Sequence, residues 1–223
     1  MEEKEDGIVR EYGSNGQLLS EVPYMHGERD GIARYYGPTG KLESEISYRA
    51  GKLDGVWREY YENGGLRSEM PYKFAKEEGL YKEWSPNGDL VIETTWKDGK
   101  RDGVTRWYHE GGILWMEANY KAGKRDGIEL LYWPNGNLMR ETTYRAGKKE
   151  GICKRWWSNG KFRSETTYKA GKEDGKYTAW WPNGNLREES VYKFGWINGI
   201  RRQYSYDGVS FSESEYFDGE LIQ

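Results

Sequence analysis

Residues 127–150 read GIELLYWPNGNLMRETTYRAGKKE, and this stretch contains the fold in outline. Two short runs rich in β-branched and aromatic residues flank Pro134-Asn135-Gly136. That arrangement reads as a β-hairpin. Proline presets φ at the first turn position, asparagine tolerates the second, and glycine takes a positive φ. The combination suits a type I turn followed by a glycine bulge. Neither run has the length or the i, i+3, i+4 spacing of a helix. The other connection, seen at Lys121-Ala122-Gly123-Lys124-Arg125-Asp126-Gly127, carries two glycines and several charges. It is expected to be longer, and to return the chain to the next hairpin.

Steps of 24 residues from Gly127 land on Gly7, Gly31, Gly55, Gly79, Gly103, Gly151, Gly175 and Gly199. Nine repeats therefore run from Gly7 to Ile222, with Met1 to Asp6 before them and Gln223 behind. A constant period of this size marks a repeat architecture, in which each supersecondary unit packs on its neighbours. Numbered from the leading glycine, five positions keep one residue type or class in all nine repeats. These are glycine at 1 and 10, an aromatic at 6 and 18, and glutamate at 15 (Glu21, Glu45, Glu69, Glu93, Glu117, Glu141, Glu165, Glu189, Glu213). The expected fold is all-β: one array over residues 1–223, an elongated, twisted antiparallel meander of nine 24-residue hairpin repeats. The ninth repeat diverges as a C-terminal cap would, with Ser210 in place of leucine at position 12 and Phe217 in place of a basic residue at 19. The third repeat loses its glycine at position 21 within Phe74-Ala75-Lys76.

The type I register places position 6 opposite position 12. It gathers positions 2, 4, 6, 12, 16 and 18 on one face, which is expected to be the core, so Tyr132 should be buried and Trp133 open. A two-residue Asn-Gly turn would instead set the basic residue at position 4 opposite the repeated glutamate. The proline favours the first register. The choice matters because a one-residue slip swaps the faces of a strand.

A mean hydropathy of -1.04 would suit a disordered chain, but 16% aromatic content argues against disorder. Each buried Trp or Tyr removes roughly 150–250 Å² from water. The net charge is -3, from 34 basic and 37 acidic residues, interspersed. Nucleic acid and anionic membrane are therefore poor default partners. The acidic start MEEKED has no apolar core of a leader, and no run approaches the length of a membrane span. The single Cys153 excludes an internal disulfide framework and fits a reducing compartment, so a cytoplasmic setting is expected.

Nine copies of one glutamate read as a structural ladder pairing with Lys, Arg or turn amides, since an enzyme needs one well-placed pair of carboxylates. His26 and His109 stand in different repeats at different positions, and no Cys/His cluster exists, so no metal or cofactor is expected. Positions 3, 5, 7 and 13 vary between repeats and carry large rings. The candidate protein-binding residues are Trp107, Trp115, Trp133, Trp157, Trp181, Tyr177 and Arg155. Either these rings pack across strands or they form an exposed strip. Exposed apolar patches mark interaction sites, where Trp, Tyr and Arg dominate.

The repeated pattern, in the sixth repeat Tyr132, Asn135, Gly136, Leu138, Glu141, Tyr144 and Gly147, resembles the MORN repeat variant, and more closely the bacterial YwqK-family antitoxins. The resemblance covers essentially the whole chain. It implies an immunity role, in which a toxin is bound directly and masked. The alternative is a general MORN-type scaffold, associated with a membrane or lipid. A carbohydrate-acting enzyme is the remaining class. The residues favour a non-enzymatic protein binder whose partner is a protein.

Overall fold

A computed structural model describes residues 6–222; the acidic start up to residue 5 and Gln223 lie outside the described residues. The described residues are strands and turns, with no helix, and successive strands pair antiparallel. The chain divides into two compact bodies, one ending at Gly112 and one starting at Ile113. The 24-residue period runs through both, and each is a meander of hairpins.

The sixth repeat shows the design. Its strands are Lys124–Tyr132 and Leu138–Arg145. The Trp133 amide donates to Asn137 O at 2.8 Å and the Gly136 amide to Trp133 O at 2.8 Å. With Gly136 at φ 84°, this is the expected type I turn with a glycine bulge. Tyr132 faces Leu138, which is position 6 opposite position 12.

Beyond that pair the expected register fails. A second bulge at position 13 shifts the ladder, so that Leu131 faces Arg140 and Leu130 faces Glu141. Position 4 thus stands opposite the glutamate after all, even though the turn is type I. In strand Leu138–Arg145, residues 139 and 140 both fall on the side of positions 3, 5 and 7. A bulge sets two residues against one, so positions 16 and 18 follow them across. The two faces are therefore 2, 4, 6, 12, 15, 17 and 3, 5, 7, 13, 14, 16, 18.

Burial follows this second set and corrects the expected core face. Position 3 holds Ala33, Thr105, Glu129 and Cys153, and position 16 holds Val22, Thr94, Ala118, Thr142 and Thr166, all buried. Across neighbouring repeats these pair directly, Thr94 with Thr105 and Thr142 with Cys153. Small side chains form a central line, and the rings of position 18 pack beside them, with Tyr144 and Tyr168 buried. Position 2, expected inside, is instead exposed: Ile8 is 57% and Ile128 47% accessible. Tyr132 and Trp133 are both half-buried, so neither face is open in the sense expected. Cys153 is free and buried, behaving as a small strand residue, as its isolation in the sequence suggests.

The ninth repeat explains why the second bulge exists. There Ser205 bonds to Ser210 O across a longer turn, and Tyr204 faces Phe211 with no register shift. Arg202 still faces Glu213. The extra residue sits in the strand when position 12 is an apolar residue, and in the turn when it is Ser210. The pairing of position 4 with the glutamate is common to both.

The second connection is tighter than its composition suggests. Positions 20 and 21 both take positive φ, as in Ala50 (45°) and Gly51 (73°), which makes a two-residue turn of the I′ kind. After the sixth repeat, Arg145 pairs with Lys148 and Tyr144 with Lys149 across this turn. Strand therefore resumes at position 22 and runs into the next repeat. The acid at position 24 accepts the amide of position 20 one repeat later: Ala146 N to Asp126 at 2.9 Å, Ala170 N to Glu150 at 2.8 Å. The position-21 amide bonds the position-23 carbonyl of the preceding repeat, as Gly147 does to Arg125 at 2.7 Å.

The departure in the third repeat now has a physical cost. Ala75 occupies position 21 with φ 65°, and its amide still bonds Leu53 O at 2.7 Å. A non-glycine residue in the left-handed region costs about 1–2 kcal/mol, partly offset by the entropy that glycine loses on folding. Ala75→Gly should therefore stabilise the protein by about 1 kcal/mol, seen as a higher denaturant midpoint at unchanged slope.

The tyrosines respond to this packing. Burial, then Glu173, pushes the Tyr168 phenol from 10.0 to about 12, and burial is the first cause of the upward shifts at Tyr72, Tyr144 and Tyr192. A phenol that ionises later in the fold than in the unfolded chain adds stability that is complete below pH 10 and lost between 10 and about 12. Alkaline titration should show cooperative unfolding in that window, with tyrosinate absorbance and loss of β circular dichroism rising together. Tyrosinate appearing near its ordinary value in a still-folded protein would contradict the assignment.

Candidate functional site

The repeated glutamates are occupied by the fold. Arg10 Nε donates to Glu21 at 2.8 Å and Arg34 Nε to Glu45 at 3.0 Å, within one repeat. Tyr36, Tyr60 and Tyr204 donate their hydroxyls to the glutamate of the preceding repeat at 2.9–3.1 Å. At Glu21 the Arg10 bond, then Tyr36, holds the carboxyl below its usual range. This is a structural ladder, as the repetition of the acid suggests. Among the described residues no group of His, Cys, Asp or Glu is placed to hold a metal ion.

Within its own body each candidate binding residue lies on the strand face of positions 3, 5, 7 and 13, and that face is the more buried one. All seven are half-buried. Trp107 belongs to the first body and lies opposite Ile92. The other six belong to the second. Tyr177 packs edge-on against Tyr192, centroids 6.0 Å apart, and accepts a hydrogen bond from Arg187 Nη2 at 3.1 Å. Arg155 lies opposite Arg140 and Ser164. Trp115 occupies the bulge position of the fifth repeat.

Trp133, Trp157 and Trp181 form a row at the turns. Each indole N–H donates to a main-chain carbonyl of the next repeat: Trp133 to Trp156 O at 3.2 Å, Trp157 to Trp180 O at 3.3 Å, Trp181 to Tyr204 O at 3.2 Å. Tyr61 does the same with its hydroxyl to Trp84 O at 2.7 Å in the first body. The Arg163 guanidinium lies 4.5 Å from the Trp157 ring centroid, and Arg187 lies 5.6 Å from that of Trp181. Beside the indoles, turn amides continue the linkage: Asn135 and Asn137 both donate to Ser158 O, and Asn183 and Asn185 to Tyr206 O. Sequence reasoning placed the rings on one face but missed these bonds. The signal was present, since an aromatic or polar donor recurs at positions 7, 9 and 11.

The arrangement offers indoles with arginines laid over them, on repeats that stack through their turns. Fold and surface together define a β-hairpin repeat protein. The chain belongs to the MORN repeat variant family, whose pattern matches residues 5–26, 29–50, 53–74, 77–98, 101–122, 125–146, 149–170 and 173–194. The ninth repeat, with its different turn, lies outside these matches.

No curated protein matches the chain. Among solved structures, S. aureus TarM in complex with fondaparinux, alpha-GlcNAc-glycerol and UDP is similar over 65% of this chain and 21% of that one, at 12% identity and a TM-score of 0.26. A TcdB2-TccC3-Cdc42 structure is similar over 93% of this chain and 14% of that one, at 13% identity and a TM-score of 0.22. The chain thus spans about a fifth or less of the length of these structures, and likeness at this level carries no argument about activity.

Proposed function

We propose that this protein is a non-enzymatic binding protein of the cytoplasm, and in particular an immunity protein that neutralises a toxin by direct contact. The observation that supports this reading is the row Trp133, Trp157 and Trp181 with Arg163 and Arg187 stacked on it. Trp and Arg supply most hot spots of protein interfaces. Anchors already fixed in place lose little entropy on binding, and each indole here is held by a bond to the next repeat. The glutamates and position-18 rings are nearly identical along the chain, so specificity has to come from positions that differ between repeats. Trp115, Tyr177 and Arg155 are the variable residues of the same body around which the contact would extend, and Trp107 is the corresponding candidate in the other body.

The test is co-expression with the product of the adjacent gene, followed by calorimetric titration of the purified pair. The parent chain should restore growth and bind. Trp157→Ala should weaken binding about thirtyfold or more, the equivalent of about 2 kcal/mol. Trp157→Phe, which keeps a ring under Arg163 but loses the indole bond, should retain more of the affinity than alanine. A parent chain that neither binds nor rescues, or Trp133→Ala, Trp157→Ala and Trp181→Ala variants that fold and bind like the parent, would overturn the reading.

A further inference from the structure

A cleft of about 180 Å³ opens on the more buried face of the third repeat, lined by Trp57, Glu59, Ser68, Met70, Tyr72 and Tyr81. This is far more than the roughly 10–15 Å³ that a single water needs, and on the scale of a small organic group. Three aromatic rings line it, and the Trp57 and Tyr72 centroids are 6.2 Å apart with planes tilted by 32°. The cleft belongs to the first body and uses none of the indoles of the second.

Its charge is one-sided. Glu59 lines it, accepting a hydrogen bond from Ser68 at 3.2 Å. Glu83 stands behind the Tyr81 hydroxyl, which donates to it at 2.8 Å. After burial, Glu77 and Glu59 raise the Tyr72 phenol, and Glu83 and Glu59 raise that of Tyr81, with Arg67 acting against them. Arg67 opposes this charge: its Nη1 lies 3.9 Å from Glu59, and its side chain is 54% exposed. Glu59, Glu77 and Glu83 therefore act on the rings of the cleft, with the solvated Arg67 guanidinium against them. Position 5 is acidic in the first, third and fourth repeats (Glu11, Glu59, Glu83), whereas in the sixth to eighth it is Leu131, Arg155 and Ala179. The acidity is a property of this place and not of the repeat. The indole N–H of Trp57 is also buried without a partner in the protein.

We propose that this cleft binds an organic ammonium group, with Trp57, Tyr72 and Tyr81 as the aromatic wall and Glu59 as the counter-charge. Aromatic rings attract a cation through the negative charge of their faces, most strongly when water is excluded. A carboxylate at the rim adds attraction that salt screens. The same chemistry occurs in a free quaternary amine and in a methylated lysine side chain of a protein.

Titration of the intact protein with choline, followed by tryptophan fluorescence and by the indole N–H resonance of Trp57, tests the proposal. Choline should bind saturably. Its uncharged isostere 3,3-dimethylbutan-1-ol should bind about tenfold more weakly, the equivalent of about 1.4 kcal/mol. Glu59→Gln should weaken choline severalfold at an unchanged melting temperature, and Arg67→Ala should tighten it. Trimethyllysine amide binding more tightly than choline assigns a protein side chain as the source, and the reverse order assigns a free amine. Equal binding of choline and its neutral isostere, or choline binding indifferent to Glu59→Gln and Arg67→Ala, overturns the proposal. So does the absence of saturable binding. None of these outcomes depends on the toxin experiment.

Discussion

Arg140→Ala is expected to destabilise the protein by about 3 kcal/mol or more. The cause is Glu129, which occupies position 3 and is 1% exposed. Elsewhere on the central line that position is Ala33, Thr105 or Cys153. Its carboxylate accepts a hydrogen bond from Arg140 Nη2 at 2.8 Å, and Arg125 Nη1 lies 2.8 Å from the other oxygen as an ion pair. Arg125 also lies over the Tyr144 ring, 5.4 Å from its centroid. Removing one partner leaves a buried charge short of compensation, which costs far more than the pair contributes relative to neutral residues. The double variant Glu129→Thr, Arg140→Ser separates the two quantities. It installs threonine, as Thr105 has at position 3, and serine, as Ser68 and Ser164 have at position 14. It should lie within about 1 kcal/mol of the parent, because a buried ion pair roughly breaks even against neutral residues of suitable shape. Denaturant melts of the parent, both single variants and the double variant give the coupling directly. Equal losses in Arg140→Ala and the double variant would mean that the buried carboxylate is not the cause.

Gly55→Val should cost about 3–5 kcal/mol, combining backbone strain with overpacking. Gly55 sits at φ 121°, and a Cβ there would fall 2.6 Å from Ser47 Cβ on the adjacent strand. The same approach recurs at Gly79 against Pro71 and at Gly103 against Thr95. At these three repeats the bulge between positions 16 and 18 brings the neighbouring strand over position 1, whereas Gly151 and Gly199 have nothing within 4 Å and keep only the positive φ that favours glycine. Gly64 is the control, with φ 86° and nothing within 4 Å of where a methyl group would stand. Gly64→Ala should therefore show only the left-handed backbone cost, about 1–2 kcal/mol. If both substitutions cost the same, the close approach of Ser47 does not matter.

Much of the architecture was legible. The period, the type I turn and the antiparallel hairpins follow from residues such as Pro134, Asn135 and Gly136, whose backbone preferences act locally. The structural role of the repeated glutamate was also legible, because ninefold repetition is what stacking requires and catalysis does not. The faces were not legible beyond position 12. Met139 gives no sign of being a bulge residue, yet it moves Thr142 and Tyr144 to the opposite side from the one alternation predicts. The binding candidates suffered from the same gap. Positions 3, 5, 7 and 13 do share a face, but that face is the packed one, so Trp157 and Trp181 are partly used in holding repeats together. The cleft beside Trp57 was invisible because Glu59 and Tyr81 come from different repeats and meet only when those repeats pair.

Local chemistry was enough to set where each hairpin turns and how often, since φ preferences and short-range alternation need no partner strand. Which side of each strand is buried depends on partners 9 to 15 residues away, as with Thr142 facing Cys153 and Tyr60 reaching Glu45. Those pairings fix the bulge, the bulge fixes the parity of positions 14 to 18, and parity places small residues on the central line and isoleucines in water. A period of two carries no memory of which face it started on, so one extra residue in a ladder is settled by the neighbouring strand.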